Sequence, residues 1–269
     1  MASHKKHATG RVVGLRVLLA VLVVVVLGGA AYLIRQQLDI KAAEDRMSAN
    51  GTPATSVAAP ASDTTSATTA PELPDNPIDF SKLWETNVES YAWMYIPNTD
   101  INAPVQQSAS DDLFYLTHDA AGNESEVGSA FSQLANKRDF SDPVTVIYGH
   151  DAGGVFKNLH YFEDAQFFND NPNFYIYTPG HILTYTIVSA YKYDDRHILN
   201  SFDFSKESVR QDYFDFVRNP NSLVKNVRDD VELNADSKIV QFSTCMLNEF
   251  HGSSRYIVTG VLTSDQETK

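Results

Sequence analysis

Hydrophobic and polar positions divide the chain into three regions. Residues 17–34, VLLAVLVVVVLGGAAYLI, are an unbroken apolar run without a charge, and about 18 residues of helix just span a hydrocarbon core of roughly 30 Å. Residues 47–76 are mostly Ser, Thr, Ala and Pro, so they offer little apolar surface to bury and are predicted to be disordered. From about residue 77 onward aromatic and β-branched side chains become frequent, which predicts a folded domain.

Charges beside the apolar run predict its orientation. Residues 1–16 carry Lys and Arg and no acidic residue, whereas the charges that follow the run are mixed. The positive-inside bias therefore predicts a cytoplasmic segment at 1–16, a transmembrane signal anchor at 17–34, an extracellular stalk at 35–76 and an extracellular domain at 77–269. A cleaved signal peptide is the alternative, because GGAA at 28–31 offers small residues, although its apolar region is typically about 7–15 residues. Both interpretations export the domain, and we expect a single-pass protein of the cell membrane.

Short strand-like runs fill the domain, and turn residues separate them. Residues 205–220 instead predict a long helix, with Ser205 or Ser208 as its cap and Tyr213 on its apolar face. Apolar spacing near the helical period predicts one or two short helices over 80–96. Many short strands are typical of a closed barrel or a sandwich. The strand-like runs lie at 101–106, 128–133, 143–150, 173–179, 182–193, 238–245 and 255–263.

Cys245 is the only cysteine of the chain. Disulfides need cysteines in pairs, so Cys245 has no partner within the chain. A free cysteine is usually a small buried hydrophobe. In the run 238–245, however, strand alternation places Gln241, Ser243 and Cys245 together on the more polar face, near the end of the strand. This position, in an exported protein, favours a thiol that is used in chemistry.

A nucleophilic cysteine needs a histidine or a positive charge that stabilises its thiolate. His150 ends an apolar strand and precedes Asp-Ala-Gly-Gly, so its ring can reach a neighbouring strand end, and His251 is the second candidate. Arg255 opens the strand after the cysteine. If these two strands pair in antiparallel fashion, Arg255 lies close to Cys245 as a hydrogen-bond donor for a substrate carbonyl oxygen. The other histidines of the domain sit in polar or loop-like surroundings: His118, His160, His181 and His197.

The sequence predicts neither a metal nor an organic cofactor. One cysteine with scattered histidines lacks the paired spacing of a structural zinc site. The glycine pair at 153–154 is too short for a phosphate-binding loop. A formal net charge of −13 argues against a nucleic-acid partner, which requires basic surface.

Together these residues resemble the sortases, the membrane-anchored cysteine transpeptidases of Gram-positive bacteria. The matching pattern is VIYGHD at 146–151, FSTC at 242–245 and an arginine ten residues after the cysteine. The resemblance covers essentially all of residues 80–263. Further segments resemble class B of the family: IPNTDINAPVQQ at 96–107, DDLFYL at 111–116, the Ser-Thr-Cys form of the cysteine motif and the helix at 205–219.

The resemblance implies a mainly β fold, a closed eight-stranded sortase-type β-barrel with peripheral helices, which include an N-terminal helix and a long helix before the cysteine strand. It also implies the reaction. The Cys245 thiolate attacks a threonine carbonyl in a cell-wall sorting signal of the Asn-Pro-x-Thr kind, the His150 imidazolium protonates the leaving amine, and Arg255 stabilises the oxyanion. An amine of a peptidoglycan precursor, or a pilin lysine, then resolves the thioester.

The resemblance also implies a substrate groove. Class B sortases often carry an amide at the position of Asp112, where this chain has a carboxylate. An acidic residue nearby in the peptide would be repelled by that carboxylate. The residues carried over to the groove are Asp112, Leu116, Tyr148, Ser243 and Thr244.

Two other classes of protein are open on the sequence. A papain-like peptidase that acts on peptidoglycan would also use a cysteine, but it usually places that cysteine at the start of a helix and before its histidine in the chain. A non-catalytic β domain that binds the cell wall would keep Cys245 as an inert core residue.

Overall fold

A computed structural model provides the fold of the protein. The chain separates into two units, Met1–Asp45 and Arg46–Lys269. In the first unit the described residues 21–35 are helical. The structure describes residues 18, 21–35, 37–38, 41–42, 73–152, 155–246 and 252–269.

The predicted N-terminal segments fall partly outside this part of the chain. The cytoplasmic segment 1–16 lies outside the described residues, as do parts of the anchor 17–34 and most of the stalk 35–76. Among the described residues, no helix has both the length and the apolar character that crossing a membrane requires.

The second unit consists mainly of β-strands. The strands are β1 (Ser90–Tyr95), β2 (Asn102–Gln106), β3 (Val144–Tyr148), β4 (Asn173–Thr178), β5 (His181–Asp194), β6 (Lys225–Val227), β7 (Ile239–Cys245) and β8 (Ser254–Glu267). The α-helices are α1 (Phe80–Thr86), α2 (Ala165–Asp170), α3 (Ile198–Ser201) and α4 (Glu207–Arg218). Two 3₁₀ helices lie at Phe114–Leu116 and Lys157–Glu163.

All eight strands belong to one curled sheet. Seven of them follow the order β2-β1-β4-β5-β8-β7-β3, and β6 pairs with β5. The paired strands run antiparallel except for β3 and β7, which run parallel. The predicted mainly β fold with peripheral helices is therefore confirmed.

A single residue links the two ends of the sheet. Phe131 exchanges both backbone hydrogen bonds with Tyr148 at the end of β3, at 2.9 and 2.7 Å. On its other side, Gln106 of β2 bonds the backbone of Ala130 and Ser132, each at 2.9 Å. The strand predicted over 128–133 is thus reduced to one bridging position that connects the first and last strands of the curl.

Three apolar clusters pack around this sheet. The largest fills the inside of the curl and includes Phe156, Phe174 and Phe242. The second lies on the outer face of β3, β7 and β8, under the buried side chains of α4, which are Tyr213, Phe214 and Val217. The third lies under α1 and includes Trp93. The predicted apolar face of the long helix is confirmed by this burial.

The region 80–96 is only partly helical. Helix α1 covers its first half, and the Asp79 side chain caps it by accepting a hydrogen bond from the Lys82 amide at 3.1 Å. The second half is strand β1, in which five consecutive residues are buried, Ser90 to Met94. A strand that is buried on both faces lacks the alternation of polar and apolar residues, and periodicity alone cannot distinguish it from a helix. Of the one or two short helices predicted there, one is present, and the rest of the region is a strand.

The predicted cap of the long helix was also wrong. Helix α4 begins at Glu207 after Lys206, which makes no capping bond through its side chain. The Ser205 hydroxyl instead donates to the Asp203 carboxylate, and Ser208 lies inside the helix. Because Ser and Asp compete for local turn contacts, the nearest hydroxyl in sequence need not become the cap.

Gly260 of β8 permits the tightest packing inside the curl. A methyl group added there would meet the Phe174 ring, with Cζ at 2.8 Å and the Tyr185 Cβ at 3.1 Å. These two rings stack with their centroids 5.0 Å apart. Both side chains are fully buried, so neither has free space to move into.

We therefore expect Gly260→Ala to lower the free energy of unfolding by about 1–3 kcal/mol, the usual cost of overpacking a core. Urea denaturation followed by circular dichroism measures this. Ser264→Ala, at an exposed position of the same strand, is the matched control and should stay within about 0.5 kcal/mol of the original protein. Equal stability of the two variants would contradict the packing described for Gly260.

Candidate active site

The register of three neighbouring strands aligns the predicted catalytic residues. Cys245 pairs directly with Arg255 across the antiparallel strands β7 and β8. The parallel strands β3 and β7 stay in register up to Tyr148 and Ser243. The Gly149 amide then donates to the Ser243 carbonyl oxygen at 3.2 Å. His150 follows two residues after Tyr148, and Cys245 two residues after Ser243, so an extension of the same register would place them level with each other.

Cys245 is exposed. In β7, Val240 and Phe242 point into the curl, while Ile239 belongs to the cluster on the outer face. Strand alternation therefore places Cys245 on the outer face, as the sequence predicted. An inert core cysteine would be buried, so its exposure argues against the non-catalytic alternative.

His150 is held from two sides. Its Nε2 atom lies 2.8 Å from the Leu116 carbonyl oxygen, and since a carbonyl only accepts, Nε2 carries the proton. Gly149 precedes it, and a Cβ there would lie 2.6 Å from Val155 and 2.7 Å from Phe156. Only glycine lets the end of β3 pack this closely on the side chains of Val155 and Phe156. This explains the glycine of the Tyr-Gly-His sequence.

A second glycine positions the carbonyl that binds His150. Gly128 has a φ of +58°, and a Cβ there would lie 2.6 Å from the Leu116 carbonyl oxygen. The Ser129 amide donates to the Tyr115 carbonyl oxygen at 2.9 Å. The bridging segment around Phe131 thus rests directly on the 3₁₀ turn that holds the imidazole.

Arg255 is half-buried, and its guanidinium bends toward its own loop. Nη1 donates to the carbonyl oxygens of Ser254 at 3.0 Å and Gly252 at 3.3 Å. Among the described residues, Nε and Nη2 make no hydrogen bond. His251, the second histidine considered from the sequence, lies outside the described residues.

The five residues predicted for the groove differ in their exposure and contacts. Asp112 is exposed and accepts a hydrogen bond from the Leu134 amide at 2.7 Å. Leu116 holds His150 through its carbonyl oxygen. Tyr148 and Ser243 form a register pair on β3 and β7. Thr244 differs, because alternation turns its side chain to the inner face, where its hydroxyl is buried and makes no hydrogen bond among the described residues.

Tyr148 interacts electrostatically with Asp112. Its hydroxyl is buried and has no hydrogen-bond partner within the described chain. Burial raises the pKa of Tyr148 to about 12, and the nearby Asp112 carboxylate adds to the rise. The hydroxyl therefore stays protonated at neutral pH.

The structure adds one histidine that the sequence had not singled out. The His160 side chain is buried, and its Nε2 atom lies 3.0 Å from the carbonyl oxygen of Cys245. From the sequence it was grouped with the histidines in polar or loop-like surroundings, and no local pattern set it apart. Within the described ranges, no group of three or more His, Cys, Asp or Glu side chains is arranged to hold a metal ion.

The fold places an exposed cysteine at the end of a strand in a curled β-sheet, as found in sortases. The sortase-domain profile matches residues 94–263. The chain therefore belongs to the sortase family, and its relatives assign it to class B. The predicted family is confirmed, and the chain is a sortase-type enzyme.

Three relatives document this similarity. Sortase B of Listeria monocytogenes is 27% identical over 195 residues, which cover 71% of this chain and 75% of the relative. Sortase B of Clostridium perfringens is 26% identical with a TM-score of 0.62, over 69% of this chain and 100% of that chain. A Streptococcus pyogenes class B sortase involved in pilus biogenesis is 26% identical with a TM-score of 0.58, over 69% of this chain and 98% of that chain.

The exposure of Cys245 predicts its reactivity in the folded protein. We expect iodoacetamide to alkylate one thiol per chain in the native state about as readily as in urea, because unfolding is not needed to reach it. Intact-protein mass spectrometry follows the reaction. A thiol that reacts only after unfolding would show that the cysteine is buried.

Proposed function

We propose that this enzyme cleaves cell-wall sorting signals after threonine and transfers the released protein to an amine. The Cys245 thiolate attacks the threonine carbonyl carbon, the peptide bond breaks, and a thioester forms. The leaving amine takes a proton from the His150 imidazolium. An acceptor amine, from a peptidoglycan precursor or a pilin lysine, then attacks the thioester and regenerates the thiol.

One observation supports this proposal above the others. Arg255 pairs with the exposed Cys245 across β7 and β8, and the parallel register of β3 and β7, which ends two residues before His150 and Cys245, supports an imidazole next to them. The imidazole stabilises the thiolate and supplies a proton. The guanidinium donates to the oxyanion that develops on the threonine carbonyl. A cysteine at the end of a strand, after its histidine in the chain, also differs from the usual papain-like arrangement.

The remaining parts of the proposal follow from the sequence. Residues 17–34 are proposed as a membrane anchor and 35–76 as a stalk that lets the domain reach its substrates in the cell wall. The proposed partners are surface proteins with a sorting signal and an acceptor of the peptidoglycan or pilin kind. Asp112, Leu116, Tyr148, Ser243 and Thr244 are proposed to bind the signal, with Thr244 contributing through its backbone.

Cleavage of a fluorogenic Asn-Pro-x-Thr peptide by the full chain tests the catalytic roles. We expect Cys245→Ala to reduce cleavage to background, His150→Ala to lower kcat/KM by about 10²–10⁴-fold, and Arg255→Ala by about 10²–10³-fold. His251→Ala serves as the matched histidine control and should keep its activity. Turnover by Cys245→Ala, or loss in His251→Ala with His150→Ala active, would refute these assignments.

Transfer is tested separately from cleavage. With an added amine such as triglycine or a lysine peptide, a transpeptidase forms the amide product, whereas a peptidase releases only the acid. Mass spectrometry distinguishes the two products. Acid alone with every amine supplied would favour a peptidase.

The Asp112 carboxylate is expected to influence the choice of peptide. Replacement by Asn should raise kcat/KM for a peptide with an acidic residue near Asp112 by about fivefold relative to its lysine counterpart, the factor for ~1 kcal/mol of repulsion at close range in water. Asp236→Asn, an exposed carboxylate before the opposite end of β7, is the control. An unchanged ratio in Asp112→Asn would exclude Asp112 from the groove.

A further inference from the structure

A buried histidine lies beneath the active-site end of β7. The His160 ring belongs to the 3₁₀ helix Lys157–Glu163 and stacks on the Tyr256 ring, with centroids 4.9 Å apart. Nε2 lies 3.0 Å from the Cys245 carbonyl oxygen, and Nδ1 lies 2.6 Å from Glu163 Oε1. Since Tyr256 pairs with Thr244, this contact reaches Cys245 from the inner face, opposite the exposed thiol.

The two hydrogen-bond partners of the His160 ring determine how many protons His160 and Glu163 hold together. A carbonyl oxygen only accepts hydrogen bonds, and so does an ionised carboxylate. A neutral imidazole has one donor and one acceptor, so it cannot donate to both. The arrangement therefore needs an additional proton, either on the ring of His160 or on Glu163.

The surroundings favour the ring as the site of that proton. The Glu163 side chain is 33% exposed, so water solvates its carboxylate. A second carboxylate, Asp151, lies 3.9 Å from Nε2. Burial raises the pKa of Asp151, while the charges of His160 and Lys157 lower it in part. The ring therefore has a carboxylate on each side.

The same region contains buried polar atoms without partners. Among the described residues, Asp151 Oδ1, Thr244 Oγ1 and the Tyr256 hydroxyl make no hydrogen bond. Asp151 follows His150, and Thr244 precedes Cys245. Tyr256 pairs with Thr244. His160 contacts the carbonyl oxygen of the nucleophile from within this inner polar region.

We propose that His160 is a positioning residue for the sortase reaction: held by Glu163, its doubly protonated ring donates to the Cys245 carbonyl oxygen and fixes the main chain of the nucleophile. β7 ends at Cys245, so the strand ladder does not hold the chain beyond that residue. A donor at this carbonyl keeps the thiol aligned with His150 and Arg255. This role depends on the proposed function of Cys245, while the protonation state of the ring does not.

Substitutions at residue 160 separate donation from packing. His160→Phe keeps a ring against Tyr256 but removes the donor, and we expect kcat to fall about 10- to 100-fold with KM little changed, as for a small displacement of a catalytic group. His160→Gln supplies an amide N–H near the position of Nε2 and should recover most of that loss. His181→Phe is the matched control, since His181 also pairs with a carboxylate, Asp265 at 2.7 Å, in an exposed ion pair, and it should keep its activity.

Kinetics of sorting-peptide cleavage and native alkylation of Cys245 are the measurements for these variants. A His160→Phe enzyme with the original kcat, or a His160→Gln enzyme as inactive as His160→Phe, would overturn the positioning role. The thermal unfolding of each variant is recorded alongside. If the original enzyme cleaves no sorting peptide, the proposed function fails, and the alkylation rate still reports whether His160 positions the thiol.

The protonation of the ring is measured without any substrate. Nitrogen-15 NMR of the histidine-labelled protein should show both ring nitrogens of His160 protonated at the pH of the assay. Glu163→Gln should convert the ring to a singly protonated form at that pH, since the Gln amide can donate to Nδ1 while Nε2 still donates to Cys245. A single protonated nitrogen in the original protein would refute the proposal, even if no His160 variant folds.

Discussion

The candidate active site depends on the parallel pairing of β3 with β7. Parallel strands end at the same edge of a sheet, whereas antiparallel neighbours end at opposite edges. Because the other paired strands that the structure describes are antiparallel, this one pair brings the end of β3, with His150, to the end of β7, with Cys245. The antiparallel hairpin of β7 and β8 then adds Arg255 from the start of the next strand.

The edge is organised differently on its two faces. The outer face presents the thiol, together with Ser243 and the buried Tyr148 hydroxyl, next to the apolar cluster under α4. The inner face holds the main chain of Cys245 through His160. Strand alternation separates the two functions, because adjacent residues such as Thr244 and Cys245 must point to opposite faces. Reactivity and support can therefore be supplied by different residues of the same short segment.

Glycines explain why the loops can come so close to this edge. Gly149 lets the end of β3 pack on Val155 and Phe156, and Gly128 lets the bridging segment touch the Leu116 carbonyl. That carbonyl in turn holds the His150 ring. The position of the His150 imidazole thus depends on two close backbone contacts that a Cβ would prevent. Through them, the end of β3 is linked to the segment around Phe131 that joins the two ends of the sheet.

The sequence alone determined most strands, the long helix α4, the polar face of the cysteine strand and the Tyr-Gly-His, Thr-Cys and Arg pattern, because alternation, helical spacing and short motifs are local properties of the chain. It did not determine β1 within 80–96, the reduction of 128–133 to one bridge or the true start of α4, where burial on both faces and competing turn contacts decided the outcome. Only the tertiary structure decided that His160 meets the Cys245 carbonyl. That contact joins residues 85 positions apart, and no local pattern encodes which buried ring will face a strand end brought to it by the fold.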